Sequence, residues 1–338
     1  MGGYNTRFTL TKLRVLKFSV LSVNAKPGTQ YCNMSSSTTQ SGSVRSLIKL
    51  LRPEQWAKNL FLFIPAFFAG ELSDPDILLR LLIAFVCFSS IASAIYILND
   101  YRDIASDRQH PEKRNRPLAS GAVAPPVALM VMGALALGGG VVSFWLDIGF
   151  FAIVSLYALM NVGYSLGLKH IAILDIMLIA FGFLLRTVSG GLVADVFISQ
   201  WLVIMIFLLA LFLALAKRRD DLLLGKSSGR VMRRSVQNYN LEYVNACLTL
   251  LAGIIIVSYL MYTISDEVVM RLGEYLYFTS VFVIAGMMRY LQIALVENNS
   301  GSPTKLLYTD SFTRLVLLAW VISFFALIYL PEYILLRM

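Results

Sequence analysis

Residues 77–98 read ILLRLLIAFVCFSSIASAIYIL, and the stretch NDYRDIASDRQHPEKRNRP follows directly at Asn99–Pro117. The first segment has about the twenty mostly apolar residues that a helix needs to cross the core of a bilayer. The second segment places aspartates, and then basic side chains, at the end of that helix. This junction predicts a membrane-spanning helix that carries a polar site at one membrane surface.

The whole chain has the composition of an integral membrane protein. Hydrophobic residues make up 57% of the 338 positions and charged residues only 14%, and the mean hydropathy is +0.70. A soluble domain has roughly 25% charged residues. Nine apolar runs come near spanning length, at 59–71, 77–98, 124–146, 148–167, 171–194, 200–216, 243–264, 272–293 and 312–331. The sequence therefore predicts an all-α integral membrane protein, a bundle of about nine transmembrane helices.

Basic residues are distributed unevenly among the connections between these runs. The connections after the second, fourth, sixth and eighth runs contain sixteen Lys or Arg residues, whereas the others contain only Arg271. Lys and Arg are enriched in cytoplasmic connections. We therefore expect the connections after the even-numbered runs to lie on the cytoplasmic side of a cell (inner) membrane. The amino terminus would then be cytoplasmic and the carboxyl terminus outside. Topology and attraction to anionic lipid and phosphate account for the net charge of +9, with no nucleic acid required.

The oxygen-bearing side chains that follow the second run have a helical spacing. Asn99, Asp103 and Asp107 are four residues apart and share one face of a helix, and Asp100 lies beside Asp103. Three aspartates on one surface repel each other unless a cation lies among them, and an all-oxygen site that also holds phosphate suits Mg²⁺. We therefore predict that these four residues bind Mg²⁺.

A basic run follows the aspartates immediately. Its side chains supply positive charge for phosphate oxygens that the metal does not cover. Its members are Arg108, His110, Lys113, Arg114 and Arg116. An acidic stripe followed by a basic run is the arrangement expected of a Mg²⁺–diphosphate site.

Two other cytoplasmic connections repeat this mixture of polar groups. YSLGLKHIAILD begins with Tyr164 and includes Lys169, and KRRDDLLLGK begins with Lys217 and Arg218. A single lysine at such a depth often marks only the membrane interface. Both connections are predicted to lie at the same membrane surface as the aspartates. We therefore expect all three segments to line one cavity.

Arg186 differs because it lies in the middle of an apolar run. A charge at that depth is costly unless it faces a polar interior. Asp175 lies eleven residues earlier, about three helical turns, and so on the same helix face. We expect that face to look into the cavity.

The amino-terminal segment has a different character. Residues 1–44 combine basic residues and no acid with the polar tract SSSTTQSGS, and their apolar segment is too short to span a membrane. We therefore divide the chain into a basic, disordered tail at 1–44 and a transmembrane catalytic domain at 45–338.

These motifs resemble the UbiA superfamily of intramembrane prenyltransferases over about residues 45–335. The resemblance rests on NDxxDxxxD, then RPLxxG, and a Tyr and Lys at the next cytoplasmic helix start. Within the superfamily, RPEQWAKN at Arg52–Asn59, HPEKRNRP at His110–Pro117 and YSLGLKH at Tyr164–His170 are most similar to the decaprenyl-phosphate phosphoribosyltransferases. The segment KRRDDLLLG departs from the second acidic motif, DxxxD, of quinone-type members.

The resemblance implies Mg²⁺-dependent transfer of 5-phosphoribose from phosphoribosyl pyrophosphate to a polyprenyl phosphate in the lipid bilayer. Asn99, Asp103 and Asp107 would bind the metal, with Asp100 as a fourth ligand or a supporting partner. The basic residues that would hold diphosphate or the ribose 5-phosphate are Lys58, Lys113, Arg114 and Arg116. Those that would position the acceptor phosphate or the sugar are Tyr164, Lys169 and Arg186, and Lys217 and Arg218 would lie beside them.

Two alternatives remain from the sequence alone. A polyprenyl diphosphate could instead be the donor to an aromatic or other acceptor, because both reactions release diphosphate. A transporter for an anionic lipid could also use basic loops, although it would need polar groups on both membrane faces. The resemblance further implies a lipid-linked ribose that leads to an arabinose donor, for cell-wall arabinan or an exported glycolipid such as a nodulation signal. The sequence does not set the oligomeric state.

Overall fold

The protein is described here by a computed structural model that covers residues 44–111, 113–228, 234–298 and 309–329. Within these ranges every regular element is a helix. The α-helices are α1 (Val44–Leu51), α2 (Ile64–Ala69), α3 (Pro75–Arg102), α4 (Ile104–Gln109), α5 (Pro125–Leu146), α6 (Ile148–Leu166), α7 (Leu174–Ala194), α8 (Gln200–Ser228), α9 (Arg234–Gln237), α10 (Leu241–Thr263), α11 (Asp266–Leu272), α12 (Ser280–Leu295) and α13 (Ser311–Tyr329). Short 3₁₀ helices lie at Pro53–Phe63, Glu71–Ser73, Lys113–Asn115, Leu168–His170 and Glu274–Thr279.

Local sequence explains where the long helices begin. Asp74 precedes α3 and accepts hydrogen bonds from the backbone N–H groups of Asp76 and Ile77, while Pro75 occupies the first turn. Asp147 caps α6 in the same manner, and Asn240 caps α10. These side chains satisfy backbone donors that have no partner within the helix.

Seven helical segments are long and apolar enough to cross a membrane. They are Pro75–Arg102, Pro125–Leu146, Ile148–Leu166, Leu174–Ala194, Gln200–Gly225, Leu241–Thr263 and Glu274–Leu295. The ninth predicted run corresponds to a shorter apolar helix at Ser311–Leu327. The first run is the 3₁₀ helix Pro53–Phe63 followed by α2. The chain is thus a multi-pass membrane protein, and the predicted number of nine spans is not confirmed by the described residues.

Two buried apolar clusters hold the helices together. One joins α3, α6 and α7 around Phe88, Phe150 and Tyr157, and the other joins α8, α10 and α12 around Phe212 and Leu248. Because lipid tails are as apolar as these side chains, close packing and not water exclusion stabilises such contacts. α7 lies between the two groups, since it packs against α3, α6 and α8.

Gly190 sets the approach of the segment Pro53–Phe63 to α7. A Cβ atom at Gly190 would overlap the backbone carbonyl of Leu62, so only glycine allows this contact. Arg186 lies one α-helical turn before Gly190 on α7, and Asn59 lies one 3₁₀ turn before Leu62. The close approach therefore brings these two polar residues together inside the bundle.

The prediction that Asn99, Asp103 and Asp107 share one continuous helix is wrong. α3 ends at Arg102, and α4 begins at Ile104, with Asp103 between them at φ −94° and ψ 6°. The backbone N–H groups of Asp103 and Asp107 still donate to the carbonyls of Asn99 and Asp103, at 3.0 and 2.8 Å. The bend at Asp103 turns the acidic side chains toward different partners. The predicted tail lies outside the described residues up to position 43.

Candidate active site

The polar connections after α3, α6 and α8 meet at one end of the bundle. Lys169, between α6 and α7, places its Nζ 3.9 Å from Oδ2 of Asp103 at the end of α3. Arg218 of α8 pairs with Asp175 at the start of α7, and Arg219 donates to Oδ1 of Asn298, which follows α12, at 2.8 Å. Contacts therefore link α3 to the connection between α6 and α7, and link α8 to the start of α7 and to the residue after α12.

Asp100 and Asp107 form the centre of this polar region. Both side chains are almost fully buried, and Nη1 of Arg116 donates to Asp100 Oδ1 at 3.0 Å and to Asp107 Oδ2 at 2.7 Å. Arg52 makes a second ion pair with the same oxygen of Asp100. Two buried carboxylates and two half-buried guanidinium groups therefore balance their charges, and we call these four residues the Arg–Asp quartet.

Asp103 has a different environment from the two buried aspartates. Its side chain is 42% exposed, against 3% for Asp100 and 4% for Asp107. Its ion pair in the described part of the chain is the long contact with Lys169. Asn99 is half-buried one turn earlier on α3. Asp103 is therefore the aspartate whose oxygens remain most available to a ligand.

The motif RPEQWAKN fastens its segment to α3 through three side chains. Arg52 pairs with Asp100, Trp56 Nε1 donates to Ser93 Oγ at 3.0 Å, and Asn59 Nδ2 donates to Ser89 Oγ at 2.8 Å.

The acceptors lie on α3 at positions 100, 93 and 89, so the segment and α3 run in opposite directions. Because these contacts use one side of the segment, Lys58 points elsewhere and is accessible.

Arg186 is buried among neutral partners. Its Nε donates to Asn59 Oδ1, its Nη2 to Tyr157 Oη and its Nη1 to the Gly182 carbonyl, each at 2.7 Å. The guanidinium carbon also lies 4.6 Å from the ring centre of Tyr157 and 5.1 Å from that of Phe88. Among the ion pairs of the described residues, none includes Arg186. This buried positive charge attracts an anion toward the interior.

Lys58 adds a positive charge close to two arginines. Its side chain is exposed, it directly precedes Asn59, which contacts Arg186, and it interacts electrostatically with Arg186 and Arg52. Lys58, which the resemblance assigns to phosphate binding, is therefore one of three basic side chains that lie close together.

Lys113 and Arg114 lie close in sequence to Arg116 of the Arg–Asp quartet. Both are exposed in the 3₁₀ helix Lys113–Asn115, directly before Arg116. Neither takes part in an ion pair with a described residue. Their charges therefore remain available to an anion that approaches Arg116.

A second buried ion pair lies where α7 meets α8. Asp175 is fully buried, and Arg218 Nε donates to its Oδ2 at 2.8 Å, while Nη1 of Arg218 pairs with Asp221 at 2.7 Å. Tyr239 Oη donates to the other oxygen of Asp175 at 3.3 Å. Arg218 thus joins two helices, and Lys217 beside it is exposed. Tyr164 is half-buried and close enough to Arg218 to interact electrostatically.

Asp175 and Arg186 are both buried on α7, as their shared helix face predicts. Their partners differ, however, since Asp175 contacts α8 and Arg186 contacts Asn59 and Tyr157. The functional candidates that sequence reasoning missed are Asn59, Tyr157 and the pairing role of Arg52. Asn59 and Arg52 lie in the motif RPEQWAKN, which was the available signal, whereas Tyr157 has no local signal.

Within the described ranges, no three carboxylate, imidazole or thiolate groups converge as a complete metal site. The predicted set is instead divided, with Asp100 and Asp107 on Arg116 and Asp103 exposed. Mg²⁺ in proteins is usually held by one or two carboxylates, with phosphate oxygens and waters as further ligands. Asp100 and Asp107 both contact Nη1 of Arg116, so their carboxylates already lie around one positive charge. The donor set therefore fits Mg²⁺ bound together with a phosphorylated substrate.

Comparison with known proteins places this site in a family context. Residues 59–316 match the UbiA prenyltransferase family. Decaprenyl-phosphate phosphoribosyltransferase of Mycolicibacterium smegmatis is 33% identical over 297 residues, which cover 85% of this chain and 93% of that protein. The nodulation protein NoeC of Azorhizobium caulinodans is 35% identical over 147 residues, covering 43% of this chain and 47% of that protein.

A solved structure has the same fold. A UbiA homolog from Archaeoglobus fulgidus bound to GPP and Mg²⁺ superposes with a TM-score of 0.64 and 18% sequence identity, covering 84% of this chain and 99% of that chain. At this identity the likeness establishes the helical architecture.

Proposed function

The chain belongs to the UbiA prenyltransferase family and is a membrane-embedded transferase, and on that premise we propose that it transfers 5-phosphoribose from phosphoribosyl pyrophosphate to a polyprenyl phosphate. The observation that carries the proposal is the similarity to a decaprenyl-phosphate phosphoribosyltransferase along 93% of that protein's length. The polar end of the bundle supports it, because it offers several separate cations to a donor with two phosphorylated positions.

The reaction balances without a nucleophile or base from the protein. An oxygen of the polyprenyl phosphate attacks C1 of the ribose, and the bond from C1 to the diphosphate oxygen breaks. The electron pair of that bond leaves with the diphosphate. Because a phosphate monoester is already ionised near neutral pH, no proton has to be removed. The site must therefore hold two anions together and stabilise the charge that grows on the leaving group.

Residues of the acidic end would act on the donor. Asn99, Asp103 and Asp107 are the proposed metal ligands, and Asp100, which pairs with Arg52, is a fourth ligand or a supporting partner. A divalent cation bound there would neutralise charge on the leaving diphosphate. The exposed Lys113 and Arg114 would contact diphosphate or the ribose 5-phosphate, together with Arg116.

Residues of the interior would act on the acceptor. Lys58 is exposed and interacts electrostatically with Arg186, and Lys169 lies beside Asp103, so both would contact the acceptor phosphate. Tyr164 and Lys217 would line the approach. Arg186 and Arg218 make their described contacts within the protein, so we assign them to electrostatic attraction and to positioning. The lipid tail would leave sideways into the bilayer.

The membrane arrangement also belongs to the proposal. A 3₁₀ helix rises about 2 Å per residue and an α-helix about 1.5 Å, so Pro53–Phe63 and α2 together can reach the roughly 30 Å of a bilayer core. With α13 they would complete nine spans. The asymmetry of Lys and Arg supports an active site on the cytoplasmic face of an inner membrane. A reporter fused after Gly225 should then be cytoplasmic and one at the carboxyl terminus outside.

The product would be a lipid-linked phosphoribose. We propose that it leads to an arabinose donor, after removal of the 5-phosphate and epimerisation by other enzymes. The partial similarity to a nodulation protein favours use in an exported glycolipid, with cell-wall arabinan as the other destination.

Loss of either exposed basic residue should weaken donor binding. We expect Lys113→Ala or Arg114→Ala to raise the KM for phosphoribosyl pyrophosphate about tenfold or more, because one charge-assisted contact to phosphate is lost. The KM for polyprenyl phosphate should change less. Steady-state kinetics with each substrate varied in turn measures the difference, and equal losses toward both substrates would contradict a donor-specific contact.

The proposal is tested by the label that enters lipid. Membranes containing the protein are incubated with labelled phosphoribosyl pyrophosphate or with labelled polyprenyl diphosphate and an acceptor, and the lipids are extracted. We expect ribose label in a polyprenyl lipid. Turnover of the polyprenyl diphosphate alone would support prenyl transfer, and movement of lipid without a new bond would support transport.

A further inference from the structure

Arg116 contacts the same carboxylates that the proposed function assigns to metal binding. Its Nη1 lies 3.0 Å from Asp100 Oδ1 and 2.7 Å from Asp107 Oδ2. Asp100 Oδ1 accepts from both Arg52 and Arg116, which uses both of its lone-pair sites, so a cation that binds this oxygen has to displace one of the two guanidinium groups. Arg116 therefore affects metal binding as well as phosphate binding.

The two arginines of the Arg–Asp quartet differ in how firmly they are held. Arg52 pairs with Asp100, and its guanidinium carbon also lies 5.1 Å from the ring centre of Tyr96. Arg116 is the more exposed of the two, with 28% of its side chain accessible against 18% for Arg52. Arg116 also follows the exposed residues Lys113 and Arg114, so its side chain can turn toward them without entering the apolar core.

The charges of the Arg–Asp quartet limit how a divalent cation can bind there. Two buried carboxylates and two guanidinium groups are neutral together, so a divalent cation added to them brings uncompensated positive charge into a buried place. If Arg116 leaves the carboxylates as the cation enters, its own charge needs an anion. A diphosphate that shares the cation supplies that anion, and guanidinium groups bind phosphate oxygens well.

We infer that Arg116 and a divalent cation compete for Asp100 and Asp107, and that Arg116 moves to the diphosphate when the cation binds. Metal binding and diphosphate binding are then coupled through one side chain. Arg116 is a positioning residue for the metal and a ligand for the diphosphate. The inference rests on the proposed function for the metal site, but not on the identity of the lipid acceptor or of the sugar.

The test measures Mn²⁺ binding to the full chain in detergent by electron paramagnetic resonance, at buffered free Mn²⁺, with and without inorganic diphosphate. For the wild type we expect weak binding that diphosphate strengthens. Arg116→Ala should bind Mn²⁺ about tenfold more tightly without diphosphate, because the competing cation is gone. Diphosphate should then strengthen its Mn²⁺ binding much less.

Lys49→Ala is the matched control. It removes one positive charge from the same end of the bundle, but Lys49 Nζ donates to the Asn115 carbonyl and makes no ion pair with a described carboxylate. We expect its Mn²⁺ affinity to stay within about twofold of wild type, since the charge of an exposed side chain is screened by salt. Arg116→Gln is the second variant if Arg116→Ala does not fold, and it should also bind Mn²⁺ more tightly.

The outcomes separate the two claims. Folded Arg116 variants that bind Mn²⁺ no more tightly than wild type would overturn the competition and leave the metal site in place. Equal tightening in Lys49→Ala would show a long-range charge effect and would also overturn it. A wild type that binds no Mn²⁺, even with diphosphate, would refute the metal assignment of the proposed function itself.

Discussion

Asp103→Asn should abolish turnover and leave the protein folded. Asp103 is the most exposed of the three aspartates, and its described ion pair is the long contact with Lys169, so the fold depends little on its charge. The proposed reaction depends on it, because a lost metal ligand leaves charge on the departing diphosphate without neutralisation. Such stabilisation is worth several kcal/mol, so we expect kcat/KM to fall by about a hundredfold or more.

The measurement compares initial rates and elution from a size-exclusion column in detergent. Asp76→Asn is the matched control, because Asp76 is an exposed acid at the opposite end of α3. It should retain the wild-type rate. Asp107→Asn should also lose turnover, and excess EDTA should stop the wild type. Near-normal activity in Asp103→Asn would end its assignment as a metal ligand.

Asp175→Asn should produce the largest loss of stability. Asp175 and Arg218 are 0% and 5% exposed, and removal of one partner leaves the other charge buried with less compensation. Breaking a buried ion pair costs about 3–5 kcal/mol, and we expect the lower end because Arg218 retains Asp221. The free energy of unfolding, obtained by denaturant titration in mixed micelles, measures the change.

A double variant distinguishes charge burial from general disruption. Asp175→Leu with Arg218→Leu removes both buried charges, so its stability should exceed that of Asp175→Asn. Asp221, which loses its partner there, is 37% exposed and remains hydrated. If the double variant were less stable than Asp175→Asn, the pair would contribute through its hydrogen bonds and not through mutual charge compensation.

Several features of the fold follow directly from the sequence. Seven of the predicted apolar runs correspond to helices of spanning length, because about twenty apolar residues leave a chain in lipid few other conformations. The first run, 59–71, is different, since it is divided between the end of the 3₁₀ helix Pro53–Phe63 and α2, which has Pro65 in its first turn, and neither helix is long enough alone. Length and hydropathy do not report how two short helices are joined.

The sequence predicted which polar residues lie in the candidate site, but not which of them contact each other. The spacing of Asn99, Asp103 and Asp107 located the acidic end correctly, yet it assumed an unbroken helix through Asp103. Which cation lies on which carboxylate depends on tertiary contacts. Arg116 reaches Asp100 from sixteen positions away, and Arg52 reaches it from forty-eight. Periodicity within one helix carries no information about such partners.

The neutral partners of Arg186 show the same limit. Its position in an apolar run predicted a polar interior. Asn59 and Tyr157, which accept its hydrogen bonds, lie 127 and 29 positions away. Gly190 makes the contact with Asn59 possible, through a close backbone approach that only the three-dimensional structure reveals.

The central claim is the transfer of phosphoribose with release of diphosphate, and one donor labelled at two positions tests it directly. Purified protein in detergent is given Mg²⁺, polyprenyl phosphate and phosphoribosyl pyrophosphate that carries one label in the ribose and another in the β-phosphate. The account predicts that ribose label appears in the extracted lipid in equal amount to the β-phosphate label released as free diphosphate. The account would be contradicted if neither label left the donor while the same preparation consumed a polyprenyl diphosphate.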